Sequence, residues 1–347
     1  MSLSQHNTMT PEFLLSRFAD QLSPFLEEVG LDKSVFTDPE AVCSAAAWIR
    51  LLELAGRHLD DSIGLRFGNA LRSTDLGVLG QALRSMDRFE DILHGVSRYA
   101  VTRSQVEKIE ISLGGNLVTI AYQIIDPTIL PRRQDAELTL ALFLSCIREL
   151  SASAVSPVRV DFEHAPPKDL RLHRETFHCP LHFNQDCNRI HFDKSLLDLP
   201  VRTANRRLLQ ALQPFLEEQR KLRSQPVSLL SEVSQAIAGE LRLGRVGVVQ
   251  VAESLHMSVR TLQRRLGELD LEFGELVEDV RRALALEYVG NSDYRLTDVA
   301  LMLGYTEASS FSRAFRRWTD LTPREYRKKA GLAAPASAPG AASASLQ

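Results

Sequence analysis

The spacing of hydrophobic positions changes along the chain, and each change marks an element. Residues 41–59 (AVCSAAAWIRLLELAGRHL) and 77–100 (GVLGQALRSMDRFEDILHGVSRYA) repeat apolar residues at intervals of three and four, which predicts helices. Over 106–125 the interval falls to two. Alternating β-branched residues flank Gly114, Gly115 and Asn116, the pattern of a β-hairpin. Helical spacing returns over 136–152, and 157–164 and 188–193 read as further strands. An α+β N-terminal domain is expected over 1–204.

Residues 205–222 repeat at helical spacing. Leu208, Leu209, Leu212, Phe215 and Leu216 form an apolar face, and Pro214 is placed to kink or divide the helix. With the polar segment 223–226 this gives a linker helix and boundary over 205–226. From 227 to 330 everything reads as helix, an all-α C-terminal domain. The tail 331–347 is uncharged and rich in Ala, Pro and Ser, so it is expected to be disordered.

Composition narrows the class. The 347 residues allow about two domains, and a 44% hydrophobic share with 24% charged residues is that of a globular protein. A net charge of −3 argues against a chain that coats nucleic acid or membrane over its whole surface, but allows a local basic patch. The N-terminus lacks a basic region followed by an apolar core, and no run is long enough to span a membrane. Cys43, Cys146, Cys179 and Cys187 are widely spread, which suits a reduced, cytoplasmic chain.

The last hundred residues carry an internal repeat. QVAESLHMS (250–258) aligns with DVALMLGYT (298–306) at an offset of 48, TLQRRL (261–266) with SFSRAF (310–315) at 49, and EFGEL (272–276) with TPREY (322–326) at 50. Each unit reads as a short helix, a tight turn and a second helix. The first helices bury Val251, Ala252 and Leu255, or Val299, Ala300 and Leu303. The second helices bury Leu262, Leu266 and Leu269, or Phe311, Phe315 and Trp318. His256 and Gly304 hold the turns, where a left-handed backbone is needed. Thr322-Pro323-x-Glu325 is a capping box that restarts the chain as helix. These are two tandem helix-turn-helix units joined by a long helix over 273–289, and their natural partner is double-stranded DNA.

The outward faces carry the chemistry. Arginine and glutamine match the paired donors and acceptors of guanine and adenine, while hydroxyls and helix N-termini suit phosphates. The candidate DNA-binding residues are Ser258, Arg260, Thr261, Gln263, Arg264 and Arg265 in the first unit. In the second they are Thr306, Ala308, Ser309, Ser310, Arg313, Arg316 and Arg317. Segment 227–329 balances fifteen basic against fifteen acidic residues, whereas 308–329 has seven against two, so the basic footprint is a stripe.

Residues 227–330 resemble the DNA-binding domain of the AraC/XylS (arabinose-operon regulator) family. The resemblance rests on Asp298-Val-Ala to Gly304-Tyr305, Ser310-Phe-Ser-Arg-Ala-Phe-Arg316 and Thr322-Pro-x-Glu-Tyr-Arg327. It extends to Ser258-x-Arg-x-Leu-x-Arg264 and Arg281-x-x-x-Ala285. It implies base contacts from Arg260, Gln263 and Arg264, and from Ala308, Ser309, Ser310 and Arg313. Residues 1–222 resemble the long arabinose-binding-like domain of some members through Gly77-Val-Leu-Gly80, Tyr99, Phe177-x-Cys-Pro-x-x-Phe183 and Leu199-Pro200. The resemblance implies a transcription activator that senses a small-molecule effector, self-associates as a homodimer and contacts RNA polymerase. A rival reading gives the N-terminal half oligomerisation alone.

Other constellations are weaker. Arg132 and Arg133 are candidates to clamp an anionic effector, against the simpler reading of a solvated loop. His173, His178, Cys179 and His182 offer metal-ligand chemistry, but their spacing matches no standard site and Phe177, Leu181 and Phe183 interleave as core residues, so no metal or other cofactor is expected. No nucleophile elbow, P-loop, H-E-x-x-H or dinucleotide loop occurs, and the two pairs Gly64/Gly68 and Gly77/Gly80 are too sparse for phosphate binding. An enzyme is not expected.

Overall fold

A computed structural model describes residues 8–11, 14–151, 154–223, 229–290 and 294–329, the Arg242 side chain excepted. The expected tail at 331–347 and the polar segment after Arg223 lie outside the described residues. The chain forms two compact units, Met1–Gln235 and Ala236–Gln347.

The first unit opens with small helical turns and a two-residue strand pair, Thr8–Met9 with Cys43–Ser44. That pairing is why the helix expected from 41 begins later, as α1 (Ala45–His58), with the Ser44 hydroxyl accepting from the Ala47 amide at 3.4 Å. α2 (Ile63–Ala70) follows. The helix expected over 77–100 is broken into α3 (Gly77–Leu83) and α4 (Phe89–Tyr99). Periodicity alone does not reveal the break, because Phe89 continues the apolar phase. Tertiary contacts impose it: Arg88 bridges to Pro200, and the Phe89 amide donates to the Leu199 carbonyl at 3.2 Å.

The expected hairpin is present as β1 (Glu107–Gly114) and β2 (Leu117–Ile124), paired in register from Glu107 opposite Ile124 to Gly114 opposite Leu117. α5 (Arg133–Leu150) follows, then β3 (Arg159–Asp161), α6 (Arg171–Phe177), β4 (Leu181–His182) and β5 (Asn188–Asp193). β4 was not expected; it is a short parallel partner of β3 inside the histidine-rich stretch. The five strands lie in the order β1-β2-β5-β3-β4, antiparallel except for that last pair.

α5 anchors this unit. It meets the sheet through Tyr122, whose hydroxyl donates to Asp135 at 2.6 Å and whose ring stands edge-on to Phe143. Against α2 the approach is close. A β-carbon on Gly64 would lie 2.2 Å from the Gln134 carbonyl oxygen, and one on Gly68 2.4 Å from that of Leu138. Those glycines therefore exist for backbone-to-backbone packing, not for phosphate.

α7 (Arg206–Arg223) is one helix; Pro214 lies inside it without dividing it. It is tied into the first unit. Glu217 accepts from Arg98 Nε and from the Tyr99 hydroxyl, each at 2.7 Å, and those bonds hold its carboxyl down at about 2. Arg223 reaches Thr10 Oγ1 at 2.7 Å. Of its expected apolar face only Leu216 is buried, and Leu208 and Phe215 stay 38% and 45% exposed; Leu222, outside that expected face, is 63% exposed.

The second unit is helical among its described residues, as expected. After α8 (Leu229–Arg242), which spans the division, come α9 (Val248–Ser254), α10 (Val259–Gly267), α11 (Phe273–Gly290), α12 (Leu296–Met302), α13 (Ala308–Thr319) and α14 (Pro323–Lys329).

Candidate nucleic-acid interface and an interior cavity

The repeat folds as a repeat. α9 and α12 each span seven residues, and Val251, Ala252, Val299 and Ala300 are all essentially buried. The turns pass through left-handed backbone at His256 (φ 55°) and Gly304 (φ 77°), at matching positions. A second pair of left-handed residues, Asp270 and Asp320, ends each unit. In the second helices Leu262, Leu266, Phe311 and Phe315 are buried and Trp318 is half-buried. Leu269 departs from expectation at 48% exposure. α10 stops at Gly267, so Leu269 no longer follows the helical period and turns outward.

Each second helix presents the expected polar face. Ser258 caps α10, accepting from the Thr261 amide at 3.1 Å, with the two hydroxyls 2.8 Å apart. Arg260, Gln263, Arg264 and Arg265 are exposed along it, and Arg264 pairs with Glu268 one turn on. On α13, Ala308, Ser309, Arg313, Arg316 and Arg317 are exposed and Ser310 is half-buried; Thr306 is exposed just ahead of it. Arg313 lies 3.3 Å from the Ser310 hydroxyl, and Arg317 pairs with Glu278 of α11 at 2.6 Å. All thirteen candidates thus lie on or beside α10 and α13, of which α10 carries a side-chain N-cap.

Two further arginines of the quoted motifs do structural work that spacing did not reveal. Arg281 donates to the Leu303 carbonyl at 3.2 Å and lies 5.3 Å from the Tyr305 ring centre, fixing α11 to the second turn. Arg327 is buried and donates to the carbonyls of Val289 and Tyr294, both at 2.9 Å. The capping box forms as read: Glu325 accepts from the Thr322 amide at 2.7 Å, which lowers its pKa, and the Glu325 amide donates to the Thr322 hydroxyl at 3.3 Å.

In the first unit, Arg132 forms a bidentate pair with Glu163 at 2.6 and 3.0 Å, and Arg133 pairs with Asp61 and Glu137. These partners already occupy both guanidinium groups. The histidine-rich stretch does not converge. His173 is buried against Glu137 at 3.0 Å, His178 is exposed at the end of α6, and His182 pairs with Asp161 at 3.3 Å. Phe162, Phe177 and Phe183 pack beside His173 instead. Among the described residues no group of three or more His, Cys, Asp or Glu side chains could hold a metal ion, and all four cysteines are free thiols.

What the sequence reading missed is a cavity of about 100 Å³ between α1, α3, α4, α5 and the β1–β2 hairpin. Its wall is mainly apolar, with Trp48, Leu79, Phe89, Ile120, Leu138 and Leu142 among its members. Arg103, Glu107, Asp135 and Thr139 also line it. The signal was present: Glu107 shares the inward phase of Ile109 and Ile111, and Asp135 lies one and two turns before Leu138 and Leu142 on the buried side of α5.

Comparison with known proteins agrees with this architecture. Residues 21–201 match the family model of the arabinose-binding domain of AraC transcription regulators, N-terminal, and 251–329 match a helix-turn-helix domain. The HTH-type transcriptional regulator VirS of Mycobacterium tuberculosis is 30% identical over 324 residues, covering 90% of this chain and 92% of that one. The chain belongs to the AraC family. The ornithine utilization regulator of Pseudomonas aeruginosa is 26% identical over 345 residues, covering 94% and 99% of the two chains. The solved transcriptional regulator CdpR of Pseudomonas aeruginosa aligns over 89% of this chain and 97% of its own, with 21% identity and a TM-score of 0.44. This AraC-family member is a DNA-binding transcription regulator with an arabinose-binding-like N-terminal domain. Among its described residues no helix is long and apolar enough to cross a membrane.

Proposed function

We propose that this regulator binds a specific operator through α10 and α13 and activates transcription in response to a small molecule held in the first unit. The observation that carries the DNA part is the duplicated second helix with an exposed face of arginines, glutamine and hydroxyls. α10 offers Arg260, Gln263 and Arg264 to base edges, and Arg265 to the backbone. α13 offers short side chains toward the bases and Arg313, Arg316 and Arg317 toward phosphate. Effector control rests on the interior cavity, because a close-packed domain does not keep such a space without cost.

Self-association as a homodimer is assigned to α7. Leu208, Phe215 and Leu222 are exposed at intervals of seven, the spacing of a helix that pairs with its own copy. Activation would proceed through RNA polymerase in the cytoplasm, with no enzymatic step, metal or cofactor.

The test is binding of the full chain to its own upstream DNA, with and without a metabolite extract, beside Arg264→Ala and Arg313→Ala. Loss of specific binding in both variants, with wild-type affinity altered by the extract, supports the whole reading. Loss in the variants with indifference to the extract favours an N-terminal half that only oligomerises. Unchanged affinity in both variants overturns the DNA assignment.

A further inference from the structure

The polar members of the cavity wall are connected in chain and in space. Arg103 precedes β1, Glu107 opens it, and Asp135 and Thr139 lie one turn apart at the start of α5. Tyr122, opposite Ile109 on β2, donates to Asp135. Two carboxyls and one guanidinium therefore line the same mainly apolar enclosure. The Arg103 Nε–H is a buried donor without an acceptor, so neither carboxyl is neutralised by a hydrogen bond from that atom.

The charge balance is the informative quantity. With both carboxyls ionised the group carries one negative charge too many, and a buried uncompensated charge is expensive. The carboxyls respond accordingly: burial, and then the neighbouring Glu107, push Asp135 up to about 7, and burial raises Glu107 as well. Other groups acting on Asp135 do not supply the missing cation. Glu53 is a further acid, and Arg132 is already paired with Glu163. A ligand bringing one positive charge would balance the second carboxyl of the cavity wall.

We infer that the cavity binds a small amphiphile with a compact apolar body and a single amine or other cationic head, the head seated between Glu107 and Asp135. The inference deepens the proposed effector control and rests on that reading for its regulatory meaning only. Size limits the body: an engineered apolar cavity of about 150 Å³ holds benzene, so about 100 Å³ suits a body of roughly five carbons.

The probes are n-pentylamine, n-pentanol and n-pentanoate, matched in length and differing in charge. Each is titrated by calorimetry and thermal shift against the full chain, Glu107→Gln, Asp135→Asn and Leu138→Phe. The expected result is that pentylamine binds at least tenfold tighter than pentanoate. Each carboxamide variant should lose at least tenfold in pentylamine affinity while binding pentanol as before, and Leu138→Phe should bind none. Asp135→Asn and Glu107→Gln are near-isosteric, and either alone suffices if the other fails to fold. Tighter binding of pentanoate, or equal pentylamine affinity in both carboxamide variants, overturns the inference, as does failure of all three probes to bind wild type.

Operator binding measured beside these titrations separates the two claims. Pentylamine bound at the acid pair without any change in operator affinity supports the cavity assignment and removes effector control. An extract that alters operator binding equally in wild type and Leu138→Phe leaves effector control standing and overturns the cavity assignment.

Discussion

The two helix-turn-helix units share one backbone plan and differ in what fills it. The first packs aliphatics, Leu262 and Leu266, and shows solvent long polar side chains, Arg260, Gln263, Arg264 and Arg265. The second packs Phe311, Phe315 and Trp318 and shows serines and an alanine with three arginines. A backbone repeat is thus held by a few positions: the buried pair in α9 and α12, and the left-handed residue in each turn. The remaining positions are free to diverge in core volume and surface chemistry. The difference is the one the proposed function uses, with the first unit reading sequence and the second holding the duplex.

The largest test of this contrast concerns the cores. Phe315 is fully buried and packs edge-on against Phe311 and Tyr326. Phe315→Ala should cost about 3–5 kcal/mol and Leu266→Ala about 2–5 kcal/mol, read by denaturant unfolding of the full chain. A loss below about 1 kcal/mol at Phe315 would show that the second unit tolerates cavities and that its aromatics are not structural.

Base reading is tested next. Arg264→Ala should cost about 1–3 kcal/mol on the specific operator and much less on random DNA, whereas Arg316→Ala should weaken both alike. Fluorescence anisotropy on the two duplexes separates these outcomes. Equal losses from Arg264→Ala on both would erase the proposed division of labour.

A smaller effect involves Glu278. Its pair with Arg317 partly neutralises the basic stripe of the second unit before DNA arrives. Glu278→Gln should therefore tighten binding and steepen the dependence of log affinity on log salt, while Arg317→Ala flattens it by up to about one unit. Salt titrations that leave the slope unchanged in both variants would remove Arg317 from the phosphate contacts.

The smallest effect compares the turns. Gly304→Ala places a β-carbon in left-handed backbone and should cost about 1 kcal/mol; His256→Gly should stabilise by less than that, since glycine also loosens the unfolded chain. Thermal unfolding of the two variants reads the sign of each.

Legibility divided along the same boundary as the two units. In the second, nearly every element and all the exposed candidate side chains followed from spacing, because short-range contacts within each unit fix them. Leu269 failed because periodicity carries no mark of where a helix stops. In the first unit the hairpin was legible from its alternation and turn. The break between α3 and α4 and the strand β4 were not: Pro200, more than a hundred residues on, imposes the first and β3, about twenty residues upstream, the second, on local patterns that would equally allow continuous helix or loop. The histidine-rich stretch looked like metal chemistry, but the fold sends His173, His178 and His182 to separate surroundings.

By itself the sequence determined the domain order, the duplicated helix-turn-helix plan and the exposed polar faces of its second helices, because these depend on residues within a few helical turns of one another. Tertiary structure alone decided the cavity and its polar group. Arg103, Glu107 and Asp135 come together only once α5 lies across the hairpin, and the cost of burying two carboxyls there is a property of the enclosure, not of any residue in the unfolded chain.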